Sequence, residues 1–329
     1  MNNYLILSEY SFLMTIDLKP SINFNVEALK IFNYQYNNNK VYNKYCNLLK
    51  IKNVSKIEEI PFLPIKFFKS HEVICKDNYS HVFKSSGTEG IKSKHYISDI
   101  NLYIKSFVKT FKIQYGEIKG TVFLGLLPSY LEQGNSSLVF MVNHLINSSE
   151  QKESGFYLND YKKLFDLINN IKDKKIILFG VSYALLDFVE KYPVKSKNLI
   201  IIETGGMKGR RKEITKEELY SKLEKGFHTD LIHSEYGMTE LLSQAYSKNN
   251  GVFKTTNWLK VFNRNINNPF DVNSKGKGVL NFIDLANINS CSFIATDDIG
   301  EVFSNNSFKV LGRLNESDIR GCSLMFNQL

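Results

Sequence analysis

The chain has 329 residues, 43% of them hydrophobic and 23% charged. This is the make-up of a soluble globular protein with one large domain or two modest ones around a well-buried core. Its 42 Lys and Arg against 33 Asp and Glu leave a formal net charge of +9. The lysines are scattered, with no tract and no recognition helix, so nucleic-acid binding is not expected, whereas acidic small molecules and acidic partners fit the charge.

No apolar stretch approaches the roughly 18 uncharged residues of a membrane span. The opening MNNYLILSEYSFLMTIDLKP has no basic leader and is broken by Glu9 and Asp17, so no signal peptide is expected and the cytoplasm is the expected location. Residues 1 to about 80 read as a helical region with loops, with the clearest period in INFNVEALKIFNYQYNNN.

From 81 to 250 apolar runs alternate with amphipathic ones. TVFLGLLPSY, KKIILFG, NLIIIETGG and DLIHSEYG read as strands; SSLVFMVNHLI, VSYALLDFVEKY and TKEELYSKLEKG read as helices. In the last helix Thr215 and Glu218 form a capping box and Gly226 is expected to close it. Such alternation predicts an α/β fold, a largely parallel sheet covered by helices, with ligands at the carboxyl ends of its strands. There lie PSYLEQG, ETGGMKGR and EYGMTE. From 251 to 329 short strands and turns (GVLNFIDL, CSFIATDDIGEV, SFKVLGRL) predict a small β-rich subdomain.

Four cysteines, Cys46, Cys75, Cys291 and Cys322, form no CxxC pair and have no histidine at zinc spacing. Buried apolar filler is the ordinary role for such residues.

Chemistry concentrates in four places. HVFKSSGTEGIKSKHY, residues 81–96, is not a nucleoside-triphosphate P-loop, because Lys92 does not follow a glycine. Ser85, Ser86, Gly87, Thr88 and Gly90 can nonetheless present hydroxyls and converging amides to phosphate, with Lys92 and Lys94 adding charge; such loops are also ordinary turns. SEYGMTE, 234–240, is expected to leave a strand and open a helix, whose free amides suit an anion. Tyr236 offers a flat face for an adenine ring, Thr239 a hydroxyl for phosphate or an acyl carbonyl, and Glu240 a hard oxygen for Mg²⁺. ATDDIGEV puts Asp297 and Asp298 at an expected strand-to-turn boundary, where a carboxylate can accept from both ribose hydroxyls or merely be solvated. In VLGRL, Arg313 follows a glycine.

Taken in this order, the four stations resemble those of the adenylate-forming enzymes. LPSYLEQGNSSLVFMV, ETGGMKGRRKEI and SEYGMTELLSQAYS are similar to the acyl-protein synthetase branch, the LuxE family, related to the phenylacetate ligases. The resemblance covers roughly residues 60 to 329. It implies the N-terminal domain of an adenylate-forming enzyme using ATP and Mg²⁺ on a fatty acid. Ser85, Ser86, Gly87, Thr88 and Gly90 would hold the β- and γ-phosphates. Gly205, Gly206, Tyr236 and Gly237 would line the adenine slot, and Thr239 and Glu240 would meet phosphate and metal. Asp298 would take the ribose and Arg313 the hinge side, with Lys92 and Thr239 in the catalytic set.

An aspartate stands where the family's ribose motif has glycine (Thr296-Asp297-Asp298), which leaves open which carboxylate is used. The full mobile C-terminal domain of most adenylate-forming enzymes is not expected here. The resemblance implies instead an acyl-accepting cysteine near the end, Cys322 in DIRGCSLMF, and an acyl carrier protein or acyl-reductase partner. Ligation to coenzyme A and a non-catalytic nucleotide- or acyl-carrier-binding subunit are the alternatives.

Overall fold

The computed structural model describes residues 18–19, 21–86, 91–128, 134–206, 210–212 and 214–314. The described chain forms two compact units. One joins the residues up to Asp77 with those from Lys254 onward, and the other is Asn78–Phe253.

The first unit opens with α1 (Phe24–Asn38) and α2 (Lys40–Leu48). Asn39 serves both helices: its backbone N–H closes α1 on the Gln35 carbonyl, and its side chain accepts from Tyr42 N–H to open α2. The buried Gln35 amide donates to the Asn287 and Ile288 carbonyls at 3.0 and 2.9 Å and accepts from Ser292 N–H at 3.0 Å. This bond set ties the N-terminal helices to the C-terminal part of the same unit. β1 (Leu63–Pro64) and α3 (Phe67–Ser70) follow.

In the second unit β2 (His81–Lys84) and β3 (Lys94–Ile97) pair antiparallel, with Lys84 opposite Lys94. Helices and strands then alternate: α4 (Ile100–Tyr115), β4 (Val122–Leu126), α5 (Ser137–Ser148), β5 (Gly155–Phe156), α6 (Tyr161–Asn170), β6 (Ile176–Val181), α7 (Ser182–Lys191), β7 (Leu199–Thr204), α8 (Lys216–Phe227) and β8 (Ile232–Tyr236). β9 (Ala245–Ser247) completes the order β9-β8-β7-β6-β4-β5, parallel except for β9 against β8. Every residue of β4 and β6 is buried, as in a parallel strand covered on both faces. This is the α/β alternation expected from the apolar runs.

Thr215 caps α8 by accepting from Glu218 N–H at 3.2 Å. Gly226 is not the cap. The helix runs on to Phe227 and ends at His228, which takes a left-handed conformation at φ 48°. Glycine is needed at 226 because a Cβ there would lie 2.4 Å from Val189 of α7, so it permits close helix packing.

After β10 (Val252–Lys254) the chain returns to the first unit with β11 (Leu259–Arg264), β12 (Val272–Asn273), β13 (Gly276–Asp284), β14 (Phe293–Val302) and β15 (Phe308–Arg313). These run in the order β12-β11-β13-β14-β15, with β11 to β15 paired antiparallel and β1 parallel to β14. Trp258, Phe262, Phe282, Phe293 and Phe308 fill the core of this β-rich part. Among the described residues, no helix is long and apolar enough to cross a membrane.

Candidate active site

Of the serine-rich loop, Ser85, Ser86 and Lys92 are described; Gly87, Thr88 and Gly90 lie outside the described residues. Ser85 closes the base of the loop. Its N–H donates to the Ser93 carbonyl at 3.1 Å, and its hydroxyl accepts from Ser93 N–H at 3.0 Å. Its hydroxyl thereby has a structural duty that the phosphate reading did not foresee. Ser86 and Lys92 are exposed on either side of this closure.

The segment expected to open a helix after β8 does not. The chain makes one turn, closed by Leu241 N–H on the Met238 carbonyl at 3.2 Å, and then enters β9 with Ala245 opposite Tyr236. The antiparallel return to β8 leaves no room for a helix, so the amides available to an anion here are those of a turn. The fully buried His95 on β3 reaches this turn: its Nδ1 donates to the Thr239 carbonyl at 2.8 Å. That bond brings the base of the serine loop and the Thr239–Glu240 turn together. Glu240 is 4% exposed. Magnesium bound mainly by phosphate oxygens and water needs only one or two protein carboxylates. The donor type at Glu240 fits that requirement, and among the described residues no larger cluster of metal-ligating side chains exists.

Gly205 and Gly206 follow β7 directly, at φ 69° and 66°, a conformation that favours glycine. Both are exposed, and a Cβ on Gly206 would meet nothing within 4 Å. The turn is thus an open backbone surface of the kind a flat base can approach. Tyr236 ends β8 with its ring 5.7 Å from that of Phe253.

The residues just before these turns lie in the quoted stretches ETGGMKGR and SEYGMTE, yet they form a polar network to which the sequence assigns no role. Glu203 accepts from Ser182 Oγ at 2.6 Å and from Ser234 Oγ at 3.2 Å, and Lys216 Nζ lies 4.0 Å from it. Its neighbour Thr204 points to the other face of the sheet and donates to Glu235 Oε2 at 2.7 Å. Burial, reinforced by the nearby Glu203 charge, pushes the Glu235 carboxyl up to about 7. A Glu or a Ser inside an apolar strand carries no local signal beyond being an unpaired polar residue at an inward position.

In the first unit Asp297 and Asp298 lie within β14, not at its end. Asp298 faces Arg313 across the β14–β15 ladder, Nε to Oδ1 3.7 Å, and its N–H donates to Thr296 Oγ1 at 3.1 Å. Two residues singled out separately are therefore neighbours. Asp297 instead acts on the partly buried Arg264, whose pKa is lowered by desolvation and raised by that carboxylate. Arg264 also donates to Asn281 Oδ1 and the Thr296 carbonyl, each at 2.6 Å. Cys322 lies outside the described residues.

The acyl-protein synthetase (LuxE) family model matches residues 2–119 and 136–329. The chain belongs to the LuxE acyl-protein synthetase family. Comparison with curated proteins finds no match. Among solved structures, 2-hydroxyisobutyryl-CoA ligase in complex with 2-HIB-AMP and CoA is similar at TM-score 0.67 and 12% identity, over 88% of this chain and 67% of that one. MatB from Rhodopseudomonas palustris, bound to ATP, matches at TM-score 0.55 and 14% identity, over 73% of this chain and 49% of that one. O-succinylbenzoate coenzyme A synthetase (MenE) from Bacillus subtilis, in complex with AMP, gives 0.52 and 16%, over 74% and 51%. The LuxE-family chain thus has the fold of adenylate-forming enzymes and spans about half the length of MatB and MenE. The family and the fold class are those expected from the motif series.

Proposed function

We propose that this LuxE-family protein activates a fatty acid with ATP as an acyl-adenylate and transfers the acyl group to a protein thiol. The acceptor is its own Cys322 or a thiol of an acyl carrier or acyl-reductase partner. The observation that carries the reading is the His95–Thr239 bond, which joins the serine-loop base to the Tyr-Gly-x-Thr-Glu turn in one unit.

A fatty-acid carboxylate attacks the α-phosphorus, the bond to the β-phosphate breaks, and pyrophosphate leaves. Charge builds on phosphate oxygens, so preorganised donors dominate the catalysis. Ser86 and Lys92, with Gly87, Thr88 and Gly90, are the groups assigned to those oxygens. In the second unit, Gly205, Gly206, Tyr236 and Gly237 are assigned to the base; in the first unit, the family resemblance assigns Asp298 to the ribose, with Arg313 beside it on β15. Thr239 orients phosphate or acyl carbonyl, and Glu240 would hold Mg²⁺, which when bound neutralises phosphate charge. A thiolate then attacks the acyl carbonyl and AMP departs.

The thiol step favours Cys322. Burial pushes Cys46 and Cys75 up to about 12 and raises Cys291 well above the usual thiol value, so these three are poor thiolates. The test is exchange of labelled pyrophosphate into ATP with a panel of medium- and long-chain fatty acids. Exchange supports the reading, and none across the panel would leave a binding subunit. The 2-hydroxyisobutyryl-CoA ligase fold match favours a second reading, ligation to coenzyme A, which CoA-dependent AMP release would reveal.

A further inference from the structure

Glu235 lies in the SEYGMTE stretch but has no role assigned to it there, and it sits between two of the assigned turns. On β8 its side chain shares a face of the sheet with Thr204, because Glu203 pairs with Ser234 and side chains alternate along a strand. Thr204 immediately precedes Gly205–Gly206, and Glu235 immediately precedes Tyr236–Gly237. One carboxyl oxygen of Glu235 accepts from the Thr204 hydroxyl at 2.7 Å. The other packs on the Cα of Gly237: a Cβ at 237 would fall 2.3 Å from it and 3.6 Å from Gln244 Cγ. The Gln244 side-chain oxygen is buried without a hydrogen-bond partner among the described residues.

The setting is apolar and aromatic. Tyr246 of β9 pairs with Glu235 in register, and Tyr103 and Tyr115 of α4 lie close enough to feel its charge. The charged group that acts on it is another carboxylate, Glu203 of β7. His233, two residues back on the same face, is held by the Tyr115 hydroxyl at 3.2 Å, and Lys248 acts on it. A buried acid with one accepted hydrogen bond and a carboxylate neighbour costs stability. An apolar residue would pack here without that cost, so the acid calls for a role.

We propose that Glu235 is a positioning residue of the nucleotide site, locking the turn after β7 to the turn after β8. Thr204 anchors the first turn on one carboxyl oxygen. Gly237, lacking a side chain, closes the second turn over the other. The inference deepens the adenylation reading and rests on it for the nucleotide's identity.

The experiment compares wild type with Glu235→Gln, Glu235→Ala and Thr204→Val. Amide hydrogen exchange is followed over residues 200–206 and 234–241 without ligand, alongside pyrophosphate exchange at varied ATP. Glu235→Ala should speed amide exchange in both turns together while other segments keep their protection. It should also raise the KM for ATP about tenfold, the scale of one lost hydrogen bond to an acid, with a smaller change in kcat. Thr204→Val should do the same more weakly, and Glu235→Gln, which keeps both shape and an acceptor, should restore most of the wild-type behaviour. Unchanged turns in Glu235→Ala, a uniform loss of protection, or Glu235→Gln as damaging as Ala would each overturn the proposal. Wild type that performs no pyrophosphate exchange, while Glu235→Ala still loosens both turns, would overturn adenylation and leave the lock standing.

Discussion

Asp298 and Arg313 face each other across the β14–β15 ladder, while Asp297, one residue away, lies near enough to the partly buried Arg264 for its charge to act on it. Adjacent carboxylates thus have different neighbouring cations. Asp298→Ala should weaken ATP binding by about 1.5–3 kcal/mol, roughly ten- to a hundredfold. Asp297→Ala should leave ATP affinity closer to wild type but destabilise the fold by about 0.5–1 kcal/mol, because the partly buried Arg264 loses a nearby carboxylate while keeping its bonds to Asn281 and Thr296. Calorimetric ATP titration and thermal unfolding of both variants decide the matter. Equal losses of affinity would move the ribose assignment.

Glu240→Gln should lower pyrophosphate exchange roughly a hundredfold or more, the scale of removing one preorganised electrostatic contact. Its unfolding midpoint should stay near that of wild type, since the amide keeps the shape of the acid. A matching loss of stability would mean that the buried Glu240 is a structural acid, and raising Mg²⁺ would then restore nothing.

How much of this was readable in advance depended on whether the cause was local. The strands β4, β6 and β7 and the helices α5, α7 and α8 stood out because buried runs and helical period are properties of neighbouring residues. Gly226 looked like a cap because glycine near a helix end usually is one; only the packing of Val189 against it shows otherwise. SEYGMTE carried a helix-start pattern, but the pairing of Tyr236 with Ala245, which no local window displays, decides its shape. The motif series located the turns that carry the proposed site. The residues that hold those turns, His95, Glu203, Thr204 and Glu235, stand inside the quoted stretches, but their partners are from 21 to 144 positions away, so no local window showed their role.

The pH dependence of stability should show the Glu235 carboxyl directly. Its pKa rises from 4.5 to about 7 in the fold. Between those values the unfolded chain has released the proton that the folded chain still holds. Stability is therefore fully present below 4.5, falls by about 1.4 kcal/mol per pH unit through the window, and levels off above about 7. His233, lowered from 6.5 to about 4, works in the opposite direction: its contribution is present above 6.5 and lost as pH falls towards about 4. The wild-type curve alone is then nearly flat where the two windows overlap. The difference between wild type and Glu235→Gln isolates the acid, and Glu235→Gln should gain about 3 kcal/mol on wild type between pH 4.5 and 7.5. Denaturant unfolding at several pH values measures it, and a difference that does not change with pH would mean an ordinary carboxyl.

The acyl acceptor can be tested without knowing the partner. Cys322 is preceded by Arg320-Gly321 and followed by Ser323, and a nearby guanidinium favours the thiolate. Cys46, Cys75 and Cys291 are held in the opposite direction by burial. Incubation with labelled fatty acid, ATP and Mg²⁺ should therefore leave label on the wild-type protein in a denaturing gel. Neutral hydroxylamine, which cleaves thioesters, should remove it. Cys322→Ser should lose the label while pyrophosphate exchange persists, because adenylation precedes the thiol step and does not use the sulfur. Persistent, hydroxylamine-sensitive label on Cys322→Ser would move the acceptor to another thiol of the chain. Exchange in the wild type without any self-labelling would make the acceptor a partner's thiol or coenzyme A, and adding CoA or an acyl carrier protein would then release AMP.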